Sequence, residues 1–207
     1  MTVHHAPRLT FSALCQFLDA TPTRQLSILR AQKYPSDGPM KSYVAALSQV
    51  KQYLTQGTPL NPDAQNLGDY EREVLRCLVA SEWRLPAGAV ATYPNTGQAT
   101  MTLGGVEIST LPDLYLEQTV RGVRYTGAIK FYVSKSRELR ADVGKWMASL
   151  LYRYMSDRLG DAAADPDLCC VYDVRQDEHH WATKSQKRLF QHIENACILI
   201  NAVWPRL

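Results

Sequence analysis

Apolar residues recur at helical spacing over several stretches of the chain, and at strand spacing between them. Thr10-Phe11-Ser12 opens a short helical stretch with Leu14, Phe17 and Leu18 on one face, and Pro22 stands at the first position of a second helix reaching about Lys33. Pro35-Ser36-Asp37-Gly38-Pro39 breaks the pattern. From Met40, Tyr43, Val44, Leu47, Val50 and Leu54 predict a third helix, and the Gly- and Pro-containing stretch Gly57 to Asp69 predicts a loop. Tyr70 to Glu82 follows as a helix with Tyr70, Val74, Leu75, Leu78 and Val79 inward. Glu71 falls inside that apolar arc and Glu73 at its edge, where a carboxylate is costly unless it finds a partner. Ser134 or Ser136 can cap a long helix to about Leu159, with Leu139, Val143, Trp146, Met147, Leu150 and Tyr154 as its stripe. Ser185 to about Val203 is a last helix with Leu189, Ile193, Ala196, Cys197 and Ile200 inward.

Between these helices the period shortens to two. Ala89 to Tyr93 and Gln98 to Leu103 flank Pro94-Asn95-Thr96-Gly97, which predicts a hairpin. Gly104-Gly105 is a bend, Val106 to Glu117 one long strand bulged at Pro112, and Arg124 to Val133 another strand. Gly160 to Asp167 reads as a loop and Leu168 to Tyr172 as a short strand, and the His179-His180-Trp181 stretch after it as a solvated loop rather than a metal site. From residue 70 the order is helix, three or four strands, helix, strand, helix. A helix between two strands implies a parallel pair. The expected class is α/β with a mixed central sheet and an N-terminal helical segment. Residues 1–68 form that segment, packed on a core over residues 69–207 that includes the last helix.

Composition narrows the function classes. A chain of 207 residues with 45% hydrophobic content can bury a core. It has no apolar run long enough to span a membrane, and Met1 to Arg8 lack the apolar segment of a secretory signal, so a cytoplasmic protein without membrane contact is expected. Cys15, Cys77, Cys169, Cys170 and Cys197 are scattered and odd in number, which fits reduced, buried thiols. The net charge of +3 is unevenly spread. Residues 121–145 carry Arg121, Arg124, Lys130, Lys135, Arg137, Arg140 and Lys145 against Glu138 and Asp142, a segment of +5 that leaves −2 for the rest. Such clustering suits phosphate binding, although a solvated helix face is its commoner fate.

The candidate chemistry lies in the same region. Asp113, Tyr115 and Glu117 share one strand face, and Ala128, Lys130 and Tyr132 share one face of the next. If the two strands pair, Asp113 comes near positions 128 and 130, and Glu71 could approach from the preceding helix. Carboxylates grouped in this way can hold a divalent ion that lowers the pKa of a bound water, and a nearby Lys can stabilise charge at a phosphate. Leu111-Pro112-Asp113 followed by Gly127-Ala128-Ile129-Lys130, with Glu71 upstream, resembles the active-site pattern of the PD-(D/E)xK nucleases, within them the RecB-like and CRISPR-associated exonuclease branch. The resemblance covers roughly Tyr70 to Cys170 by element order. The opening Leu9 to Leu14 also looks like the helical entry of those exonucleases.

The resemblance implies a restriction-endonuclease-like core and a nucleic-acid-acting protein, with Asp113, Lys130 and Glu71 catalytic. Asp113 and Glu71 would hold Mg²⁺ or Mn²⁺ if the site is active, and Arg124, Lys135, Arg137, Arg140 and Lys145 would hold DNA phosphates. The branch with an iron–sulfur cluster needs closely spaced C-terminal cysteines, absent here, so no cluster is expected. A Gln-x-x-x-Tyr common in the family's next helix is replaced by Asp142 to Trp146. The family pattern also needs an acid where Ala128 stands. Three explanations stay open: a naturally degenerate site, a migrated acid (Glu107, Glu117 or Glu71), or an engineered replacement. The alternative function is a non-catalytic subunit that uses the nuclease fold to assemble with a protein partner or a second copy. The resemblance implies a setting in prokaryotic defence, repair or a mobile element.

Overall fold

The structure is a computed structural model and describes residues 3–35, 43–81, 83–94, 100–134, 138–158 and 163–207. Among these residues the chain forms six α-helices and two mixed β-sheets, an α/β protein. None of the helices is long and apolar enough to cross a membrane. By contacts the chain gathers into two units. The first combines Met1–Pro39, Thr96–Leu111 and Thr183–Leu207, the second Met40–Asn95 and Pro112–Ala182. The boundary expected between residues 68 and 69 falls inside the second unit.

In the first unit, β1 (Arg8–Thr10) pairs in parallel with β4 (Val106–Ser109), which pairs antiparallel with β3 (Thr100–Leu103). Thr10 then caps α1 (Phe11–Leu18), its Oγ1 accepting the Ala13 N–H at 3.2 Å, and Pro22 opens α2 (Pro22–Lys33). The last helix, α6 (Lys187–Val203), runs into a short 3-10 turn at Trp204–Arg206. Buried Trp204 ties this unit together: its Nε1–H donates to the His4 carbonyl at 3.0 Å, and the Lys33 Nζ donates to the Trp204 carbonyl at 2.8 Å. Gly104 and Gly105 have φ of +52° and +80° and lie against α6, where a β-carbon on Gly104 would come within 2.8 Å of the Ile198 nitrogen.

The second unit holds α3 (Val44–Gln56), α4 (Asp69–Ala80) and a five-stranded sheet. Its strands are β2 (Ala89–Thr92), β5 (Leu114–Val120), β6 (Val123–Tyr132), β7 (Ala163–Asp173) and β8 (Glu178–Trp181), in that spatial order. β5 runs antiparallel to β2 and β6, and β6 lies parallel to β7 with α5 (Ala141–Arg158) as the crossover. One sheet face carries Leu114, Leu116, Ile129, Phe131, Cys170 and Tyr172 and shares a core with Val50, Val74, Leu75 and Leu78 of α3 and α4. On the other face, α5 packs on β6, β7 and β8. The contact is close at Gly144, where a β-carbon would stand 2.3 Å from the His180 ring. β6 and β7 slip register between Thr126 and Ala128, and Gly127 lies there so near Leu168 that a β-carbon would meet its carbonyl oxygen at 2.2 Å.

Four strand expectations are corrected. β2 and β3 belong to different sheets and do not form a hairpin with each other; Asn95, Thr96 and Gly97 lie outside the described residues. The single long strand from Val106 to Glu117 is two strands in two sheets, parted at Pro112, which cannot donate a ladder hydrogen bond. The His179-His180 stretch is strand β8, paired with β7 through Asp173↔Glu178 to Cys170↔Trp181. β7 begins at Ala163, ahead of the expected Leu168.

Candidate functional site

Asp113 is set by the β5–β6 ladder, which it continues by one residue. Its N–H donates to the Ile129 carbonyl at 2.8 Å, and its Oδ2 accepts the Phe131 N–H at 2.9 Å. Register places Leu114 opposite Ile129 and Tyr115 opposite Ala128, so Asp113 stands across from Lys130. The Lys130 Nζ lies 3.5 Å from Asp113 Oδ2. Strand arithmetic therefore brings together the two residues that Leu111-Pro112-Asp113 and Ile129-Lys130 single out. Asp113 is 7% exposed, and a carboxylate this buried requires partners.

A third residue joins them. The Lys51 Nζ, from α3, lies 3.5 Å from Asp113 Oδ1. Both lysine side chains keep 25% exposure. Sequence reasoning missed Lys51: it sits on the helical stretch from Met40, and no spacing rule connects it to a strand sixty-odd residues away. One carboxylate here meets two ammonium groups, one from α3 and one from β6.

Glu71 does different work. Its Oε2 accepts the Gly68 N–H at 3.1 Å, closing the start of its own helix α4. Its Oε1 accepts the Ala45 and Ala46 N–H groups at 3.1 and 3.4 Å, closing the start of α3. These backbone donors are the partners that a carboxylate on a core-facing stripe demands.

Ala128 is fully buried, opposite Tyr115 on β5 and Cys169 on β7. Tyr115 Oη lies 3.3 Å from Tyr154 Oη of α5, so position 128 is on the face that α5 covers. An acid here would be sealed in the interior.

The basic residues do not gather at Asp113 as a set. Arg124 is paired with Glu117 at the opposite end of β6, six residues from Lys130, roughly 20 Å along a strand. Arg140 is exposed just before α5 and bonds Asp142 Oδ2 at 2.8 Å. The Asp142 carboxyl lies below its ordinary range: its slight burial acts upward, but the Arg140 guanidinium and the Val143 N–H outweigh it. Lys145 is exposed on the first turns of α5, and Lys135 and Arg137 lie outside the described residues. Of the acids named as migrated candidates, Glu107 pairs with Arg8 and Glu117 with Arg124.

The donors at Asp113 do not fit a divalent metal. Oδ1 faces Lys51, Oδ2 faces Lys130 and the Phe131 amide, and both oxygens of Glu71 are spent on helix amides. Two unit charges 4 Å apart repel by about 4 kcal/mol at an effective dielectric near 20. A doubly charged ion at Asp113 would meet about twice that from each ammonium. Among the described residues no group of three or more His, Cys, Asp or Glu is placed to hold a metal ion.

Two further features belong to the same unit. The Tyr172 hydroxyl and the Ser81 hydroxyl both donate to Asp177 Oδ1, at 2.5 and 2.8 Å, fastening the end of α4 to the β7–β8 turn. Those hydrogen bonds, Tyr172 first, hold the Asp177 carboxyl below its usual range. A cavity of about 270 Å³ lined from α3 and α4 by Val50, Tyr53 and Leu78, with Trp83, Ser81 and Arg84 among others, contains none of Asp113, Lys130 or Glu71. Comparison with protein-family models, curated proteins and solved structures finds no match.

Proposed function

We propose that the chain is a nucleic-acid-binding protein whose second unit has a PD-(D/E)xK nuclease-like core with an altered site, and that its partner is DNA. The observation that carries this is the Asp113–Lys130 pair, Nζ to Oδ2 at 3.5 Å, where the Pro-Asp strand meets the Lys strand. The unit's element order supports it: α4, then β2, β5 and β6, then α5 and β7, which is the helix, strands, helix, strand of a restriction-endonuclease-like core. Fold alone does not confer activity. The site departs from a hydrolytic one at Ala128, and the second carboxylate of the family pattern, Glu71, is engaged by backbone amides. The reading is therefore a binding protein that keeps the nuclease framework, in a cytoplasmic setting.

The test is binding of fluorescent DNA, followed by anisotropy, with Lys130→Ala beside the wild type. Affinity should fall steeply between about 50 and 200 mM salt, because phosphate contacts release counterions. No binding at low salt, or a salt-insensitive complex, overturns the proposal.

The alternative reading is a non-catalytic subunit that docks on another protein. It is favoured by the adjacent Ile198 and Leu199 on α6, which are 54% and 55% exposed.

A further inference from the structure

We infer that the cavity lined by α3, α4 and Trp83 is a binding site for a small aromatic carboxylate, with Arg84 holding the carboxylate. This goes beyond the nucleic-acid reading and does not depend on it. All the residues that line the cavity of about 270 Å³ belong to the second unit. Val50 and Leu78 line it from the helices, Leu60 from the loop that joins them, and Trp83 from the chain after α4. Trp83 is a fixed wall. Its ring stacks on Tyr172 at 5.2 Å between centroids and 21° between planes, and meets Phe131 edge-on at 5.8 Å. An apolar cavity of about 150 Å³ takes up a benzene. A larger space, walled by an indole and aliphatic side chains, suits a fused two-ring aromatic group.

The polar lining residues decide the rest of the ligand. Ser81 is buried and already engaged: its hydroxyl donates to Asp177 Oδ1 at 2.8 Å and accepts the Trp83 N–H at 2.9 Å. The Asp177 carboxylate disfavours an anion at that wall. Tyr53, Val79 and Arg84 are exposed and mark the side open to solvent. The Arg84 Nη1–H donates to the Trp83 carbonyl at 2.7 Å, which ties the guanidinium to the aromatic wall. That bond uses one of the five donors of the planar fork. Among the described residues no carboxylate pairs with Arg84. A guanidinium held beside an apolar cavity matches a ligand whose rings enter the cavity while its carboxylate stays at the mouth.

The test titrates naphthoate into the full chain and follows tryptophan emission, to which Trp83 in the cavity wall contributes. A saturable change with a Kd below about 1 mM is expected. Naphthamide keeps the rings without the charge and should bind about tenfold more weakly. Arg84→Gln should weaken naphthoate about tenfold and leave naphthamide unchanged, with Arg84→Lys between the two. Val79→Glu, at an exposed position of the mouth, should weaken the acid more than the amide. Circular dichroism first shows each variant folded, and the comparison of acid with amide needs only the wild type. No saturable binding of naphthoate, equal wild-type affinity for acid and amide, or unchanged affinity in folded Arg84→Gln overturns the inference. Tighter binding of octanoate, a flexible acid without rings, overturns the aromatic assignment.

Discussion

Asp113 and Lys130 face each other across the β5–β6 pair, yet the same carboxylate also accepts the amide of Phe131, the residue after its partner. Asp113 therefore ties side-chain charge to backbone register. Asp113→Asn should lose the charge that the two lysines oppose and weaken the hold on the Phe131 amide. The expected cost is about 2 kcal/mol, seen as a lower urea midpoint at unchanged slope. A midpoint equal to wild type would contradict the structural role given to this carboxylate.

Position 128 offers a sharper test. Ala128→Glu restores the letter that the family pattern needs, but it places a carboxylate at a fully buried position between Tyr115 and Cys169. The expected outcome is destabilisation of about 4 kcal/mol or more, or failure to fold, with no gain of cleavage in Mg²⁺. A stable variant that cuts DNA would show that α5 does not seal this position.

Glu71→Ala removes one carboxylate from two helix starts at once. Loss of a single cap costs about 1 kcal/mol, so the melting curve should report about 1–2 kcal/mol. Glu71→Gln should recover only part, because an amide group would present a donor towards backbone N–H groups that are themselves donors. Full recovery in Glu71→Gln would argue that the charge is irrelevant to the caps.

The two histidines of β8 make stability sensitive to acid. Burial lowers the His180 pKa below the usual 6.5; Glu178 and Asp173 act upward, and Lys145 acts downward with burial. Burial likewise lowers His179, with Asp177 opposing and His180 assisting. A histidine whose folded pKa is depressed contributes its full stability above the unfolded value. That contribution is lost as pH falls, because the unfolded chain takes the proton first. Melting temperature should therefore drop between about pH 7 and about pH 5.5. His180→Phe, which keeps a ring against Gly144, should flatten that dependence; an unchanged slope would exclude His180 as its source.

Gly127→Ala should cost about 3 kcal/mol, because its new methyl group would meet the backbone of Leu168 at the register slip. The same change at Gly144 meets the His180 ring, which has more freedom to shift. Urea midpoints of the two variants should rank in that order.

The long amphipathic helices were legible. α5 and α6 bury Val143, Met147, Leu150 and Tyr154, and Ile193, Cys197 and Ile200, as periodicity requires. The arc of α4 follows expectation at Glu71, Val74, Leu75 and Leu78, which are buried, the carboxylate finding amides; Val79, expected inward, is 58% exposed. Sheet membership was less legible. Alternation identifies a strand but carries no information about which sheet it joins, so β2 and β3 read as partners and β4 and β5 as one strand. β8 escaped because Glu178-His179-His180-Trp181 carries little apolar alternation and follows a turn in which Asp177 has φ +51°. At the site, Asp113 opposite Lys130 followed from strand arithmetic. Lys51 did not, since its approach depends on how α3 packs, and packing leaves no local mark in the chain.

The first unit is drawn from three separated stretches of chain. On a ribosome, β1, α1 and α2 emerge before the second unit, but His4 and Lys33 cannot meet Trp204 until α6 has followed it. The second unit ends at Ala182 and can close first. Loss of Trp204 would therefore be felt far away in the chain, at His4 and Lys33, leaving a segment made much earlier without the indole that completes it.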